Sequence, residues 1–316
     1  MIVTLTANPS VDRTIEVDTL RPGAVIRARA SRVDAGGKGV NVARALAAHG
    51  RKAKAVLPSG GGAGAQLEAM LAEAGLDLLT VRIAGTIRTN VTVVEADGTT
   101  TKLNEPGPRL SSQELAALAA GLRDAAASAE WVVLSGSLSP GAPDDWYAGI
   151  IRVLRGTGPR VAIDSSGPAL AAAVSAQPDL VKPNREELAE LTGCPIETIA
   201  DVIRAAQTLT GRGVRAVLTS LGPAGAVLAR PDAAWHATAA ATDPVSTVGA
   251  GDALLAGYLT AGADGPGALA EAVAWGSAAA ALPGSRMPGP ADLVRTGIHI
   301  TDLTDPASGD LAARRL

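Results

Sequence analysis

Residues Val245-Ser246-Thr247-Val248-Gly249-Ala250-Gly251-Asp252 run directly into Ala253-Leu254-Leu255-Ala256-Gly257-Tyr258. Two glycines flank a small alanine, and an aspartate follows where an apolar helical pattern begins. Glycine lets successive backbone N–H groups turn toward one point, and a helix start adds partial positive charge there. Such a turn suits an anion whose charge shifts during reaction, for instance a phosphoryl group in transfer. An aspartate at the same place can accept a proton from an attacking hydroxyl. The same residues also describe an ordinary strand-to-helix turn with an acidic first-turn residue, so the surrounding chain has to decide between them.

Upstream, helix and strand patterns alternate. Helices are expected at 112–128, 144–155, 168–175, 185–192 and about 199–211. Between them lie the apolar strands Trp131-Val132-Val133-Leu134, Val161-Ala162-Ile163-Asp164, Leu180-Val181-Lys182-Pro183-Asn184 and Ala216-Val217-Leu218-Thr219. Continuously apolar strands between helices imply an α/β fold with a mostly parallel sheet covered on both faces. Nearly every strand ends in a small polar or glycine loop, such as Ser135-Gly136-Ser137-Leu138-Ser139 or Ser220-Leu221-Gly222-Pro223-Ala224-Gly225. Those loops fall at one crevice, where such sheets bind ligands.

The N-terminal part adds a strand at Met1-Ile2-Val3-Thr4-Leu5-Thr6 and a loop, Asn8-Pro9-Ser10-Val11-Asp12. Asp12 could accept hydrogen bonds from sugar hydroxyls or form an Asx turn. In Asp34-Ala35-Gly36-Gly37-Lys38-Gly39-Val40-Asn41-Val42-Ala43, glycines again precede a helix and place Lys38 and Asn41 near its first turn. A helix from Gly64 to Gly75 follows the strand ending at Val56-Leu57-Pro58. Two half-exposed alternating patches, about 14–34 and 86–104, stand outside the βα pattern and read as a small accessory sheet inserted in two pieces. The second contains a hairpin about Ala96-Asp97-Gly98. Its cations Arg88 and Lys102 sit at nearly mirrored positions, which would let them converge on one phosphate, although exposed sheet charges also account for them.

Composition narrows the partners. With 28 basic and 31 acidic residues the formal net charge is −3, and no long basic run is present. Neither nucleic acid nor an anionic membrane surface is an expected partner. There is no signal-peptide pattern and no long uninterrupted apolar segment. The single cysteine, Cys194, fits a reducing cytoplasm and is expected as a packing thiol.

These motifs together resemble the PfkB, or ribokinase-like, carbohydrate kinases along essentially the whole chain. Gly36-Gly37-Lys38-Gly39-Val40-Asn41-Val42-Ala43 resembles the first family signature, Val248-Gly249-Ala250-Gly251-Asp252 the second, and Asn184 with Glu187 the N-x-x-E element. The Asn8–Asp12 loop, Arg88-Thr89-Asn90, Asn104-Glu105-Pro106-Gly107-Pro108, Ser246-Thr247-Val248 and the tail Gly297-Ile298-His299-Ile300-Thr301 are similar to the phosphosugar branch, above all the 1-phosphofructokinases. Ala253 and Ser139 depart from that branch, which often has serine and proline there, without removing a reacting group.

The resemblance implies a single ribokinase-like domain over 1–316, with a β-sheet lid formed by about 12–35 and 86–106. It implies ATP-dependent phosphorylation of the 6-hydroxyl of fructose 1-phosphate. The alternatives are a tagatose-6-phosphate kinase, a minor 6-phosphofructokinase, or a sugar-phosphate-binding regulator without turnover. Asp252 would be the base, with Gly249, Ala250 and Gly251 as the anion hole. Asp12, Gly37, Lys38, Asn41, Arg88, Lys102 and Ser137 would bind the phosphosugar. Lys182, Asn184, Glu187, Ser220, Gly222, Gly225, Thr247 and Ser277 would face ATP, and Glu187 would reach Mg²⁺ through water. A cytoplasmic homodimer joined through the lid sheet is implied as well.

Overall fold

The apolar run Ile2–Thr6 forms β1 near the middle of a large sheet in the computed structural model, which describes residues 1–240, 244–304 and 315–316. The chain continues through β2 (Ser10–Val17), β3 (Ala30–Gly36), α1 (Lys38–Ala48), β4 (Ala53–Ser59), α2 (Gly61–Glu73) and β5 (Asp77–Arg82). The hairpin β6 (Arg88–Glu95) and β7 (Thr100–Leu103) follows, then α3 (Ser112–Ala126), β8 (Trp131–Ser135), α4 (Trp146–Leu154), β9 (Arg160–Asp164) and α5 (Gly167–Ser175). Next come β10 (Leu180–Val181), α6 (Arg185–Thr192), α7 (Ile199–Gly211), β11 (Ala216–Ser220), β12 (Ala226–Ala229) and β13 (Ala234–Thr238). The last elements are α8 (Ala250–Thr260), α9 (Gly265–Ala280) and β14 (His299–Asp302).

Among the described residues the large sheet has the order β14-β13-β12-β11-β10-β9-β8-β1-β4-β5. The strands from β5 to β11 pair in parallel, while β12, β13 and β14 extend one edge in antiparallel pairing. Successive side chains alternate between faces. Ile2, Trp131, Val133, Ala162, Leu180 and Leu218 pack with α1, α8 and α9. Val3, Leu5, Val132, Leu134, Ile163 and Val217 pack under α2 to α7. This is the expected α/β architecture with a mostly parallel sheet.

The two accessory patches do form a second sheet, ordered β3-β2-β6-β7. It differs from the sequence reading in two details, and the large sheet in one. Asp12 lies inside β2, paired with Asp34 and Asn90, and not in a loop after β1. The β-branched run Thr14, Ile15 and Val17 extends back through Val11 because β6, remote in sequence, supplies a parallel partner. Lys102 stands opposite Thr92, four residues from Arg88 on one strand, so the two cations are not mirrored. At about 3.3 Å per residue that separates them by roughly 13 Å. Finally, the strand expected over 180–184 is confined to Leu180–Val181. Pro183 has no N–H for a ladder, and the Asn184 N–H is taken by the Glu187 carboxylate at 2.9 Å.

The strands β5, β12, β13 and β14 lie outside the sequence expectation. Arg230-Pro231-Asp232 between two short apolar runs was the legible turn signal for β12 and β13. Cys194 is exposed, not packed. It follows Gly193, whose left-handed backbone (φ 69°) ends α6 and turns the chain to the surface.

Candidate active site

The strand ends bring the motif residues into one crevice. Gly249 adopts φ 79° and caps α8 without a side chain, so the first helical turn presents backbone N–H groups to the crevice. Ala250 N–H makes only a long contact of 3.4 Å to Thr247 O. Asp252, in that first turn, is 6 % exposed. Its Oδ2 accepts a 2.8 Å hydrogen bond from Asn41 Nδ2 on α1. Gly37, with φ 116°, lets α1 start tightly against β1, where a β-carbon would lie 2.7 Å from Thr6 Cγ2.

A second carboxylate lies beneath the first. Asp164, at the end of β9, is buried and binds Lys38 Nζ at 2.7 Å and Lys182 Nζ at 3.0 Å. Lys38 also lies 3.7 Å from Glu187 Oε1. A β-carbon added to Gly251 would stand 3.4 Å from Lys182 Nζ, which places that ammonium directly beneath the glycine turn. Burial opposes the Lys38 charge, but Asp164 and Glu187 outweigh it and hold the ammonium above its ordinary value. Burial likewise opposes ionisation of Asp164, yet Lys182 and Lys38 keep its carboxyl below the usual range. Asp252 is pushed up to about 7 by burial first and by the Asp164 charge second, with Asn41, Lys38 and Lys182 pulling the other way. The two carboxylates therefore differ in character: Asp164 stays charged between its lysines, and Asp252 is poised to exchange a proton near neutrality.

On the accessory sheet, Asp12 Oδ1 accepts from Ser10 Oγ at 2.7 Å and from Asn90 Nδ2 at 2.9 Å. Arg88 pairs in register with Ser10 on the neighbouring strand. Its Nη1 donates to Glu105 O at 3.3 Å, while its Nε is buried with no hydrogen-bond partner among the described residues. Burial lowers the guanidinium from its ordinary value, with Asp12 opposing. A half-buried cation with an unsatisfied donor is suited to an entering anion.

On the other side of the crevice, Asn184 and Glu187 form a reciprocal capping box on α6, and Asn184 bridges to Ser220. Gly222 (φ 58°) and Gly225 (φ 84°) bound the following 3-10 turn. Ser277 is half-buried on α9, one residue after Gly276, which abuts Ala250 O at the head of α8. Thr247 is exposed just before that head, and Ser137 is exposed in the loop after Gly136, beside Lys38. Lys102 is exposed on β7 and makes no contact with this cluster.

Sequence reading passed over two participants. Asp164 ends an apolar strand just before Ser165-Ser166-Gly167, and an acid at a strand's C-terminal end was the available signal. Arg44 gave none. Its Nη1 donates to Ala35 O (3.2 Å), Ser285 O (3.2 Å) and Asn41 Oδ1 (3.4 Å), which turns the Asn41 amide nitrogen toward Asp252.

Residues 5–286 match the pfkB family carbohydrate kinase model. A 1-phosphofructokinase of Xanthomonas campestris pv. campestris is 42 % identical over 264 residues, covering 82 % of this chain and 83 % of that protein. An ATP-dependent 6-phosphofructokinase isozyme 2 of Mycobacterium tuberculosis is 38 % identical, covering 89 % of this chain and 83 % of its own length. The crystal structure of phosphofructokinase-2 from Escherichia coli in complex with substrates and products superposes with a TM-score of 0.86 at 34 % identity, over 92 % of this chain and 96 % of that one. A family match that runs from β1 to the loop beyond α9, with relatives this similar in sequence and in fold, makes the chain a member of the pfkB family of carbohydrate kinases.

Proposed function

We propose that this kinase transfers the terminal phosphoryl group of ATP to the free 6-hydroxyl of fructose 1-phosphate, giving fructose 1,6-bisphosphate. The observation that carries the reading is the junction at α8. A buried carboxylate with a pKa of about 7 adjoins a glycine turn of backbone donors, with Lys182 below it. Asp252 takes the hydroxyl proton, and the N–H groups of residues 249–251 stabilise the phosphoryl group in transfer. Arg88, in register beside the Asp12 strand, binds the phosphate the sugar already carries, while Asp12, Gly37 and Asn41 position its hydroxyls. Lys38 and Ser137 border the same space. Lys102, exposed on β7, is given no phosphate contact in this reading.

Asn184, Ser220, Gly222, Gly225, Thr247 and Ser277 line the nucleotide side in this reading. Mg²⁺ fits here as an ion held mainly by the nucleotide's phosphates, with Glu187 reaching it through water. Among the described residues there is no group of three or more His, Cys, Asp or Glu able to cage a metal. Glu187 Oε2 is engaged in the α6 cap, and its Oε1 faces Lys38. When bound, the ion would neutralise phosphate charge; the residues of the chain supply the base, the donors and the exclusion of water.

The β3-β2-β6-β7 sheet acts as the lid over the sugar, inserted in two segments into one kinase domain. Exposed apolar side chains on the β2–β3 connection (Val25) and at the end of β7 (Leu103) support pairing with a second copy of the chain. No helix among the described residues is long and apolar enough to cross a membrane.

Relatives named for fructose 1-phosphate and for fructose 6-phosphate phosphorylation both resemble this chain. An ADP-release assay comparing fructose 1-phosphate, fructose 6-phosphate and tagatose 6-phosphate decides between them. The highest kcat/KM is expected with fructose 1-phosphate, and a clear preference for either 6-phosphate overturns the assignment.

A further inference from the structure

At the end of the large sheet opposite Asp252, the N-terminal ends of β8 to β11 and the β12–β13 turn surround a cavity of about 260 Å³. At about 30 Å³ per water it holds more than one ordered solvent molecule, yet it is small for a nucleotide. Tyr258 on its wall belongs to α8, six residues beyond Asp252. The helical rise alone separates them by roughly 9 Å along the axis, so the cavity is not part of the crevice described above.

Arg160, Arg215 and Arg230 line it. Arg160 lies 4.4 Å from the centroid of the Trp131 ring and donates to Glu130 at 2.8 Å. Arg215 donates to Asp179 at 3.2 Å, and Asp179 also accepts the Val161 N–H at 2.8 Å. Arg230 pairs with Asp264 at 2.6 Å and donates to Ala263 O at 3.4 Å. A guanidinium offers five N–H donors, so these contacts use a minority of them. Glu130, Asp179 and Asp264 each pair with one of these arginines and Asp232 also lies on the wall, so the carboxylates offset the positive charge, which makes directed donors, not a broad field, the basis of recognition.

The buried layer behind the arginines is short of acceptors. The Trp131 indole Nε1 and Arg230 Nε have no hydrogen-bond partner among the described residues. The Tyr258 hydroxyl makes no bond of normal geometry, although the Arg230 guanidinium lies beside it. Trp131 and Tyr258 are 3 % and 1 % exposed. The unpartnered Trp131 Nε1 and Arg230 Nε, with the Tyr258 hydroxyl beside the Arg230 guanidinium, constitute a local excess of donors that an acceptor-rich group would satisfy.

We propose that this cavity is a second ligand site, binding a small metabolite through a phosphate or carboxylate group held by Arg160, Arg215 and Arg230 against the Trp131 and Tyr258 layer. The site is independent of the sugar and ATP assignments.

The test uses the full chain labelled with ¹⁵N, following the Trp131 indole resonance, identified by its loss in Trp131→Phe. Inorganic phosphate and malonate are titrated separately at constant ionic strength. A saturable shift is expected with at least one of them, and which one saturates names the group recognised. Arg230→Met is expected to weaken that Kd roughly tenfold or more, as loss of charge-assisted bonds does. Arg215→Met, altering a side chain 75 % exposed at the rim, should weaken it too and does not risk the fold. A non-saturating drift with both probes overturns the proposal, as does a Kd unchanged in the variants.

Discussion

Asp252 sits between two requirements. Burial makes its charge costly, yet a base must be ionised to accept a proton. With a pKa of about 7, kcat/KM should rise with pH through that value and level off above it. A profile flat between pH 5.5 and 8.5 would exclude Asp252 as the titrating base. Asp252→Asn should lower turnover about 10²–10⁴-fold while sugar binding persists. The same substitution should also stabilise the protein at alkaline pH. An acid whose folded pKa is raised contributes stability that is fully present below its unfolded value near 3.8 and is lost as pH rises through about 7. The ceiling is roughly 4 kcal/mol, a figure that already includes the opposing pull of Asn41, Lys38 and Lys182. Tm of Asp252→Asn should therefore exceed the wild-type value at pH 8, and the gap should narrow toward pH 5. At Arg88 the expectation is one-sided: Arg88→Ala should raise KM for the phosphosugar far more than for ATP. Equal effects on both would contradict its place in the sugar-phosphate site.

The α6 start has a stability role in the fold and, in the proposed function, a chemical one. Asn184 and Glu187 read in sequence as a ligand-binding element, and in the fold they are also a reciprocal capping box. Asn184→Ala should cost about 1 kcal/mol of stability through the lost cap. Glu187→Gln keeps a side-chain oxygen for the Asn184 N–H, so Tm should change little. It removes the charge, so the Mg²⁺ concentration giving half-maximal activity should rise. A Tm loss in Glu187→Gln with unchanged Mg²⁺ dependence would leave it a structural cap only. Elements of this kind were legible because their signals are local. Gly249, Gly37 and the 184–187 pattern each require particular residues at fixed spacing. That the two patches share one sheet was legible; the parallel register of β2 on β6 was not, because a ladder between segments over seventy residues apart leaves no local trace.

For the whole molecule, the β3-β2-β6-β7 sheet is separate from the large one, with exposed apolar side chains on its β2–β3 connection, Val25 at 91 %, and at the end of β7, Leu103 at 60 %. If copies of the chain pair through this sheet, sedimentation velocity at micromolar concentration should show a dimer. The double substitution Val25→Glu and Leu103→Glu should shift it toward monomer without lowering Tm appreciably. A wild-type monomer would remove that assembly.

Sequence by itself determined the alternation of apolar strands and helices, the glycine turns before α1 and α8, and the identity of the carboxylate at the second turn. These depend on residue type at short range: apolar runs need burial on both faces, and positive φ favours glycine. Only the tertiary structure decided that Asp164 lies between Lys38 and Lys182, that Arg44 turns the Asn41 amide onto Asp252, and that Asp252 titrates near neutrality. Each depends on groups brought together from distant strands and helices. A carboxylate's proton affinity follows from the burial and charges around it, and those exist only once the sheet has been assembled.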